Sequence, residues 1–330
     1  MPANLPPEYY EVEKSLRQAR TPEEKLAIIE KLLSIIPRHK GTEKLVALYR
    51  AKIAKLKEEL EHRPAITKKG PLFRIEKSGA GQVIIIGPPN SGKSALIRAL
   101  TGIEVEVADF PFTTRQAAPY MMPYENIKIQ LIDTPPITRD YFEPWLAEMI
   151  KAAEAMLIVI DSAHDEACEQ LSIILNHLQE KKIEPVSESS LIPADKFQFR
   201  KRTLLILNKN DLLQSDRTLE EIRILFQLEF EILSVSARTG ENLNLLRQKI
   251  FNLLQIVRLY SKVPGKKPDL DSPFILKKGS TILELARLIH KDFAENLNYA
   301  RVWNKSGTIS GLRVNRDYIL NDEDVVELHL

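Results

Sequence analysis

Residues 87–94 have the types and spacing of a phosphate-binding loop. The segment reads GPPNSGKS, directly after the apolar run at 83–86 and directly before a helical pattern that begins at Ala95. Its two glycines let the backbone curl until successive N–H groups point at an anion, and the following helix adds its positive end. In such a loop Lys93 reaches the β- and γ-phosphates of a nucleotide, and the Ser94 hydroxyl holds Mg²⁺. The alternative is a chance match or a decayed site. The predicted phosphate-side contacts are Gly87, Pro88, Pro89, Asn90, Ser91, Gly92, Lys93 and Ser94.

A second polar segment has the donors and acceptors that recognise a guanine base. Residues 208–211 read NKND and follow the apolar pattern at 203–207. The Asp211 carboxylate can accept from N1–H and the 2-amino group of guanine, Asn208 can donate to the base edge, and the stem of Lys209 can cover the ring. Adenine offers neither donor, and sites that depend on specific hydrogen bonds reject such mismatches by factors on the order of 10⁴. The other interpretation is an ordinary turn after a strand, where Asn and Asp are common.

Each polar motif directly follows a short apolar segment. From residue 82 onward such segments alternate with helical patterns, which predicts an α/β fold with a mostly parallel sheet covered on both faces. The predicted strands are residues 82–86, 127–132, 155–160, 203–207 and 231–235. Since open α/β sheets bind ligands at the carboxyl ends of their strands, the motifs should share one edge. There the tripeptide SAR at 236–238 offers small residues whose backbone N–H groups can approach the guanine carbonyl. Residues 183–200 lack clear periodicity and are predicted to be a surface loop or small insertion.

The two ends of the chain have different patterns. Residues 8–62 show apolar side chains at helical spacing on both sides of a basic loop, which predicts a helical hairpin. Its role stays open between a partner-binding arm and a cap on the next domain. A helix and four short strands predict a small mixed unit at the other end. The predicted organisation is 1–70 as the helical hairpin arm, 71–260 as the nucleotide-binding domain, 261–272 as a linker and 273–330 as the small domain, with its helix at 282–292. Tyr299 and Trp303 can stack on bases, but their alternation along a strand favours the core.

The composition of the 330 residues is that of an ordinary globular protein, with 44% hydrophobic and 28% charged residues and a net charge of +2. No apolar stretch approaches the ~20 residues of a membrane span, and residues 1–20 lack the apolar core of a signal peptide. Cys168 is the single cysteine, which excludes an internal disulfide framework. We therefore expect a cytoplasmic protein without membrane contact, whose oligomeric state stays open.

In chain order, five motifs resemble the guanine-nucleotide motifs of small GTPases: GPPNSGKS, FPFTTR at 110–115, DTPP at 133–136, NKND and SAR. FPFTTR is most similar to the Obg branch. HKDFAENLNYARVW at 290–303 resembles the TGS domain, a ubiquitin-like β-grasp module, of the developmentally regulated GTP-binding proteins, and IPRHKGTEKL at 36–45 resembles their helical arm. The resemblance implies a P-loop GTPase domain between a helical hairpin and a TGS domain. The region between Asp161 and Asn208 is too short for the inserted domain of eukaryotic and archaeal members, so the chain resembles a trimmed relative.

The resemblance also implies ligands and site residues. GTP and GDP are the expected nucleotides, with Ser94 and Thr114 as Mg²⁺ ligands, Asp133 holding the ion through water, and Thr113 as the alternative to Thr114. Asn90 matches the asparagine that helps to hold K⁺ in cation-stimulated relatives, although it can equally be a loop residue without that role. The transition-state or K⁺ candidates are thus Lys93, Thr114 and Asn90. The base-side contacts are Asn208, Lys209, Asp211, Ser236, Ala237 and Arg238.

Two residues depart from the family pattern. The third motif is normally D-x-x-G, whose glycine N–H contacts the γ-phosphate, but position 136 is proline and has no N–H. Ile137 stands where Ras-like enzymes keep the glutamine that orients water, and its side chain cannot position a nucleophile. We therefore expect intrinsic hydrolysis at or below the ~10⁻⁴ s⁻¹ scale of an unassisted Ras-type enzyme.

Three functions compete on this basis. The first is a slow GTPase switch whose arm and TGS domain contact a ribosome, another RNA–protein complex or a protein partner. The second is a guanine-nucleotide-binding scaffold that does not hydrolyse, as Pro136 and Ile137 suggest. The third, an ATPase, is disfavoured by NKND.

Overall fold

The computed structural model describes residues 6, 12, 22–36, 42, 46–49, 52–53, 75–103, 117–189, 199–212, 215–305 and 307–330. The chain divides into two compact units, Met1–Leu72 and Phe73–Leu330. The predicted switch segment FPFTTR, with Thr113 and Thr114, lies outside the described residues, as does most of the predicted helical hairpin. None of the helices within the described ranges combines the length and apolar character needed to cross a membrane.

The smaller unit contains helix α1 (Pro22–Ile35) and a second helical stretch at 46–49. Leu32 is fully buried and shares an apolar cluster with Ile29, Ile36 and Tyr49. Since Tyr49 belongs to the second stretch, the two segments enclose a small core, as a helical hairpin requires.

The larger unit begins with a sheet whose strand order is β2-β3-β1-β4-β6, and both β5 and β7 pair with β6. Its strands are β1 (Gln82–Ile86), β2 (Ala118–Tyr124), β3 (Ile127–Asp133), β4 (Ala155–Asp161), β5 (Ile183–Val186), β6 (Phe199–Asn208) and β7 (Glu231–Ser234). β2 runs antiparallel to β3, and the other described pairs of this sheet are parallel. Every residue of β1 and β4 is buried, which explains why their sequences are continuous apolar runs rather than alternating ones.

Helices cover both faces of this sheet. They are α2 (Lys93–Thr101), α3 (Pro144–Ala152), α4 (Ala167–Glu180), α5 (Ser215–Leu225) and α6 (Leu243–Leu254). Val83 and Ile85 of β1 pack with α2 and α6, whereas Ile84 and Ile86 pack with α3, α4 and α5. The period of two along one buried strand thus divides the domain into two apolar layers.

The predicted loop at 183–200 is wrong at both of its ends. β5 occupies residues 183–186, and β6 begins at Phe199, four residues before its predicted start. Two features hide these strands from a periodicity argument. β5 is an edge strand that contains Pro185, and β6 opens with FRKR, which includes three basic residues and pairs with β5 at the sheet margin. β2 was also absent from the prediction, and it is a second edge strand, with prolines at 119 and 123.

A second sheet follows, in the order β11-β10-β12-β8-β9. Its strands are β8 (Ile256–Ser261), β9 (Phe274–Lys277), β10 (Tyr299–Trp303), β11 (Ser310–Val314) and β12 (Asp324–His329). Helix α7 (Ile282–Ile289), which starts at a capping box between Thr281 and Glu284, packs Leu285 against one face, and α8 (Lys291–Asn296) follows. A helix over a small mixed sheet is the β-grasp arrangement expected from the sequence.

Three details of this domain differ from what the sequence predicts. The sheet begins at Ile256, inside the segment assigned to the preceding domain, because the apolar patterns of α6 and β8 are separated by Gln255 alone, which takes a left-handed conformation with φ of +49°. The predicted helix at 282–292 is two helices, broken by extended backbone at His290. Tyr299 and Trp303, which alternation favoured as core, lie on the sheet face opposite α7, outside the apolar cluster.

Arg258 of β8 joins the two sheets. Its side chain is only 4% exposed, and its guanidinium carbon lies 5.0 Å from the ring centre of Phe251 in α6. It forms ion pairs with Glu125, at the tip of the β2–β3 hairpin, and with Asp322 of the second domain at 2.7 Å. The neighbouring Asn126 donates a hydrogen bond to the Tyr260 hydroxyl at 2.7 Å. A buried arginine needs such partners, so the hairpin and the second domain are held together through it.

Replacing Arg258 with alanine should lower the free energy of unfolding by about 3 kcal/mol, because carboxylates from two domains lose their shared cation. Urea unfolding followed by circular dichroism measures the change. Arg139→Ala is the matched control, since the Arg139–Glu169 pair is exposed at both ends and such pairs contribute about 0–1 kcal/mol. Equal unfolding midpoints for the two variants would contradict the role assigned to Arg258.

Candidate nucleotide-binding site

The loop of residues 87–92 connects β1 to α2 at the carboxyl edge of the sheet. Gly92 has φ of +87°, and a Cβ atom there would lie 2.2 Å from Nδ2 of Asn208. A Cβ atom on Gly87 would lie 2.3 Å from the Val159 carbonyl oxygen. Both glycines are therefore required by close packing of the loop against the ends of β4 and β6, and Gly92 also by its backbone conformation.

Lys93 is buried at the start of α2. Its Nζ donates hydrogen bonds to the carbonyl oxygens of Gly87 at 3.1 Å and Pro88 at 2.8 Å. Burial lowers the pKa of Lys93 to about 8, and the nearby charge of Asp133 partly opposes that shift. The ammonium group is thus held inside the loop in a place where an added anion would stabilise its charged form.

Ser94 and Asp133 have the chemistry of a magnesium site. Ser94 Oγ donates a hydrogen bond to Asp133 Oδ2 at 2.8 Å, while Asp133 Oδ1 is buried and has no hydrogen-bond partner within the described chain. Burial raises the pKa of Asp133, opposed by the Ser94 hydrogen bond and the charge of Lys93. A hydroxyl and an unsatisfied carboxylate oxygen are ligands that suit Mg²⁺, which takes few protein ligands beside phosphate and water. The residues therefore fit this ion, while Thr114 and Thr113 lie outside the described part of the chain.

The third motif is anchored to the sheet and to the loop. Thr134 Oγ1 donates to the Ile85 carbonyl at 2.7 Å, and the N–H of Ile137 donates to the Gly87 carbonyl at 3.0 Å. The side chain of Ile137 is 1% exposed and packs in the apolar layer below. Pro136 has no N–H, and the N–H of Ile137 is already bonded to Gly87. Residues 136 and 137 therefore offer no hydrogen-bond donor to a third phosphate.

The base-recognition residues line one cleft of about 420 Å³ beside the loop. Its walls are Gly92, Ala95, Arg98, Ala99, Asn208, Lys209, Asp211, Leu212, Ala237 and Arg238. Five predicted base-side residues, Asn208, Lys209, Asp211, Ala237 and Arg238, are thus brought together with Gly92 of the loop. The sequence does not single out Arg98, because an arginine in the last turn of an amphipathic helix carries no local signal of function.

Asn208 connects the loop to the rest of the site. Its side chain is buried; Nδ2 donates to the Ser91 carbonyl at 3.0 Å, and Oδ1 accepts from the N–H of Ala237 at 3.1 Å. The sequence predicts a contact of Asn208 with the base edge and a contact of the SAR backbone with the guanine carbonyl. In the structure, one amide proton of Asn208 is donated to Ser91 in the phosphate loop, and the Ala237 N–H is donated to Asn208, so both groups position the cleft.

Asp211 is held as an ionised acceptor. Ser236 Oγ donates to Asp211 Oδ1 at 2.6 Å, and Arg238 Nε lies 3.6 Å from Oδ2. The Ser236 hydrogen bond is the main cause that lowers the pKa of Asp211 below its ordinary value. Ser236 thus supports the acceptor rather than meeting the ligand itself, and a carboxylate in this state can accept from two adjacent N–H donors.

Lys209 is fixed by a residue that the sequence analysis did not single out. Its backbone is left-handed with φ of +67°, and its Nζ donates to Asp161 Oδ2 at 2.6 Å. Asp161 ends β4, the strand that pairs with β6. Asp161 directly follows the apolar run of β4, and polar residues at the carboxyl ends of neighbouring parallel strands lie close together. This position alone could have identified Asp161 as a site residue from the sequence.

Two family models match the chain. The model described as "50S ribosome-binding GTPase" matches residues 82–209, and the model described as "TGS domain" matches residues 257–330. The second match begins within β8, in agreement with the start of the second sheet at Ile256. The structure of the YchF GTPase of Schizosaccharomyces pombe has a TM-score of 0.52 at 14% identity, covering 77% of this chain and 99% of that one. It supports the fold alone.

Two relatives align with the chain over almost its whole length. An uncharacterized GTP-binding protein of Methanocaldococcus jannaschii is 28% identical, covering 93% of this chain and 92% of its own. Developmentally-regulated G-protein 1 of Arabidopsis thaliana is 26% identical, covering 92% and 90%. The alignments run over 362 and 365 positions, more than the 330 residues of this chain, so both relatives carry segments that it lacks.

Binding of GDP should be coupled to proton uptake above pH 8. Below pH 8 the Lys93 amine is already protonated in the free protein. Above pH 8 the free protein has lost that proton, and binding restores it because the phosphate oxygens raise the pKa of Lys93 in the complex. Affinity should therefore fall as pH rises from 8 to 9.5, by up to about tenfold per pH unit. Calorimetric titration in two buffers of different ionisation enthalpy measures the proton number directly.

Lys201→Met is the matched control for this linkage. Burial lowers the pKa of Lys201 to about 8 as well, but the residue lies near the opposite end of β6 from the cleft, where its Nζ donates to the Lys151 carbonyl at 3.0 Å. The variant should keep the proton uptake of the parent. Identical GDP affinity at pH 7 and pH 9.5 in the parent would exclude the buried state assigned to Lys93.

Proposed function

The chain is a GTP-binding protein with a GTPase domain and a C-terminal TGS domain, similar to the developmentally regulated GTP-binding proteins, and we propose that it is a slowly hydrolysing switch that acts on ribosomes or RNA. One observation carries the proposal. The phosphate loop and an ionised Asp211 open onto one cleft and are held together by Asn208. That arrangement supports binding of a guanine nucleotide with its phosphates at the start of α2.

Binding and hydrolysis depend on different residues. The loop N–H groups and Lys93 hold the phosphates, Ser94 and Asp133 hold Mg²⁺, and Asp211 selects the base. Mg²⁺, when bound, neutralises charge on the phosphate oxygens. Neither Pro136 nor Ile137 orients the attacking water, since Ile137 is buried and its N–H is engaged by Gly87. We therefore expect tight binding with hydrolysis at or below ~10⁻⁴ s⁻¹ in the isolated protein.

The partner is proposed from the family model and from the domain order. The matched GTPase model is described as ribosome-binding, and the chain adds a helical arm and a TGS domain to that GTPase domain. A ribosomal or RNA–protein partner would also place the protein in the cytoplasm. Alternatively, the arm or the TGS domain contacts a protein rather than RNA.

The engaged third motif favours a second candidate, a scaffold that binds GTP without hydrolysing it. Phosphate release and ribosome sedimentation separate the two. We expect release that is slow alone and faster with ribosomes, together with co-sedimentation that differs between GDP, GTP and a non-hydrolysable analogue. Absence of release under every condition would establish the scaffold, and nucleotide-independent sedimentation would exclude the switch.

We further propose that K⁺ stimulates turnover through Asn90. The side chain is exposed at the mouth of the loop, on left-handed backbone with φ of +57°. Asn90→Asp retains that conformation, which both residues adopt readily, but brings an anion next to the phosphates. Phosphate release should be faster in KCl than in NaCl for the parent and equal in the two salts for the variant. Equal rates in the parent would rule out the cation site.

A further inference from the structure

The sheet of the TGS domain has one face that α7 leaves uncovered. Alternation along β10 sends Ala300 and Val302 into the core and places Tyr299, Arg301 and Trp303 on the opposite face. Arg301 is exposed, and the two aromatic side chains are half-buried. The strand rise puts the two aromatic positions roughly 13 Å apart, with the arginine midway between them.

Two arginines lie side by side on this face. The strand register places Arg301 directly opposite Arg313 of β11, an arrangement of like charges that costs stability. Arg301 also lies opposite Glu327 of β12, but the Glu327 carboxylate is bonded by Lys262 and by His329. Neither arginine forms an ion pair with any part of the chain that the structure describes. Their charge is therefore available to an anion from outside.

Aromatic rings flank the two arginines. The rings of Tyr299 and His329 are stacked, with centres 4.4 Å apart and planes inclined by 10°, and the Arg313 guanidinium lies 4.0 Å from the centre of Tyr299. On the other side, Lys262 Nζ lies 4.6 Å from the centre of the Trp303 ring. Flat rings and guanidinium planes in alternation are surfaces on which nucleobases stack.

We propose that this arginine–aromatic face, formed by Lys262, Tyr299, Arg301, Trp303, Arg313 and His329, binds single-stranded RNA. Phosphates pair with Arg301 and Arg313. Unpaired bases stack on Trp303, on His329, whose ring covers one face of Tyr299, and on the Arg313 guanidinium, which covers the other face. A duplex would present its phosphates but not the faces of its bases. The inference rests on the proposed association with ribosomes or RNA, and it names the chemistry of the contact. An acidic peptide would satisfy the arginines while leaving the aromatic rings unused.

The same face continues toward the GTPase domain. Val325 of β12 lies opposite Trp303 of β10 and is paired with Tyr260 of β8, so Tyr260 and Arg258 share the face with the aromatic residues. Both are buried against the β2–β3 hairpin, which ends at the magnesium residue Asp133. RNA on the open part would therefore lie beside the hairpin that leads to the nucleotide site.

Fluorescence anisotropy of a labelled single-stranded 12-mer RNA with the full chain and GDP tests the inference. The double variant Arg301→Ala plus Arg313→Ala should weaken binding at least tenfold. It should also reduce the steepness of the plot of log K against log salt concentration by about 1.4, the value for two phosphate contacts on a single strand. Trp303→Leu should weaken binding about tenfold with an unchanged salt dependence. The control is Arg139→Ala plus Arg217→Ala, which removes two exposed arginines of the GTPase domain and should leave affinity unchanged.

A thermal melt separates binding from stability. The double variant loses both the repulsion between Arg301 and Arg313 and the contact of Arg313 with Tyr299, which have opposite effects on stability, so its melting temperature should stay close to that of the parent. Unchanged RNA affinity in the double variant would overturn the inference, as would equal affinity for duplex RNA or full displacement of RNA by an acidic peptide at the same concentration.

Ribosome sedimentation of the same variants distinguishes this inference from the proposed function. Parent protein that sediments with ribosomes but does not bind the RNA 12-mer would overturn the inference and leave the switch intact. Binding of the 12-mer without ribosome sedimentation would overturn the ribosomal partner and retain the RNA-binding face.

Discussion

The buried amide of Asn208 is the interaction on which the nucleotide site depends. It joins loops from the ends of three strands, because Nδ2 is bonded to Ser91 and Oδ1 to Ala237. The absence of a side chain at Gly92 makes room for it. An amide left unpaired in this position would cost about 1–3 kcal/mol for each lost partner. The phosphate loop and the base cleft are therefore one unit, and the spacing between the two ends of a nucleotide is set before any ligand arrives.

The two buried charged groups of the site, Lys93 and Asp133, each lack a full counter-charge in the protein and would gain one from a ligand. Burial lowers the pKa of Lys93 and raises that of Asp133, which means that the charged form of each is disfavoured by the same low-dielectric surroundings. Phosphate and Mg²⁺ would compensate both. The third motif adds nothing to this balance, since the Ile137 N–H is used on Gly87. The residues that can bind a nucleotide are therefore different from residues 136 and 137, and this difference is the basis on which we propose slow hydrolysis.

The GTPase and TGS domains meet at a charged junction, and Gln255 alone separates α6 of the first domain from β8 of the second. The predicted linker at 261–272 lies between β8 and β9, inside the second domain. Arg258 is buried between Phe251, Glu125 and Asp322, and the hairpin that carries Glu125 runs directly into Asp133. A contact on the TGS sheet and a ligand on the phosphate loop are consequently connected through one hairpin. The physical requirement is that a buried guanidinium keeps its carboxylate partners. The ion pairs of Arg258 therefore fix the second domain against the β2–β3 hairpin. The part of its sheet beyond the hairpin stays exposed.

Local sequence determined the elements and chemistry that depend on neighbouring residues: the buried strands at 82–86 and 155–160, the loop that follows the first of them, and the guanine-type motif after β6. Tertiary structure alone decided which distant residues meet. It paired Lys209 with Asp161, assigned Ile256–Ser261 to the second sheet, added the short edge strand β5, and turned Tyr299 and Trp303 away from the core. The reason is that periodicity reports how often a side chain is buried, whereas the face and the partner of that side chain are set by strand order and register, which no local pattern contains.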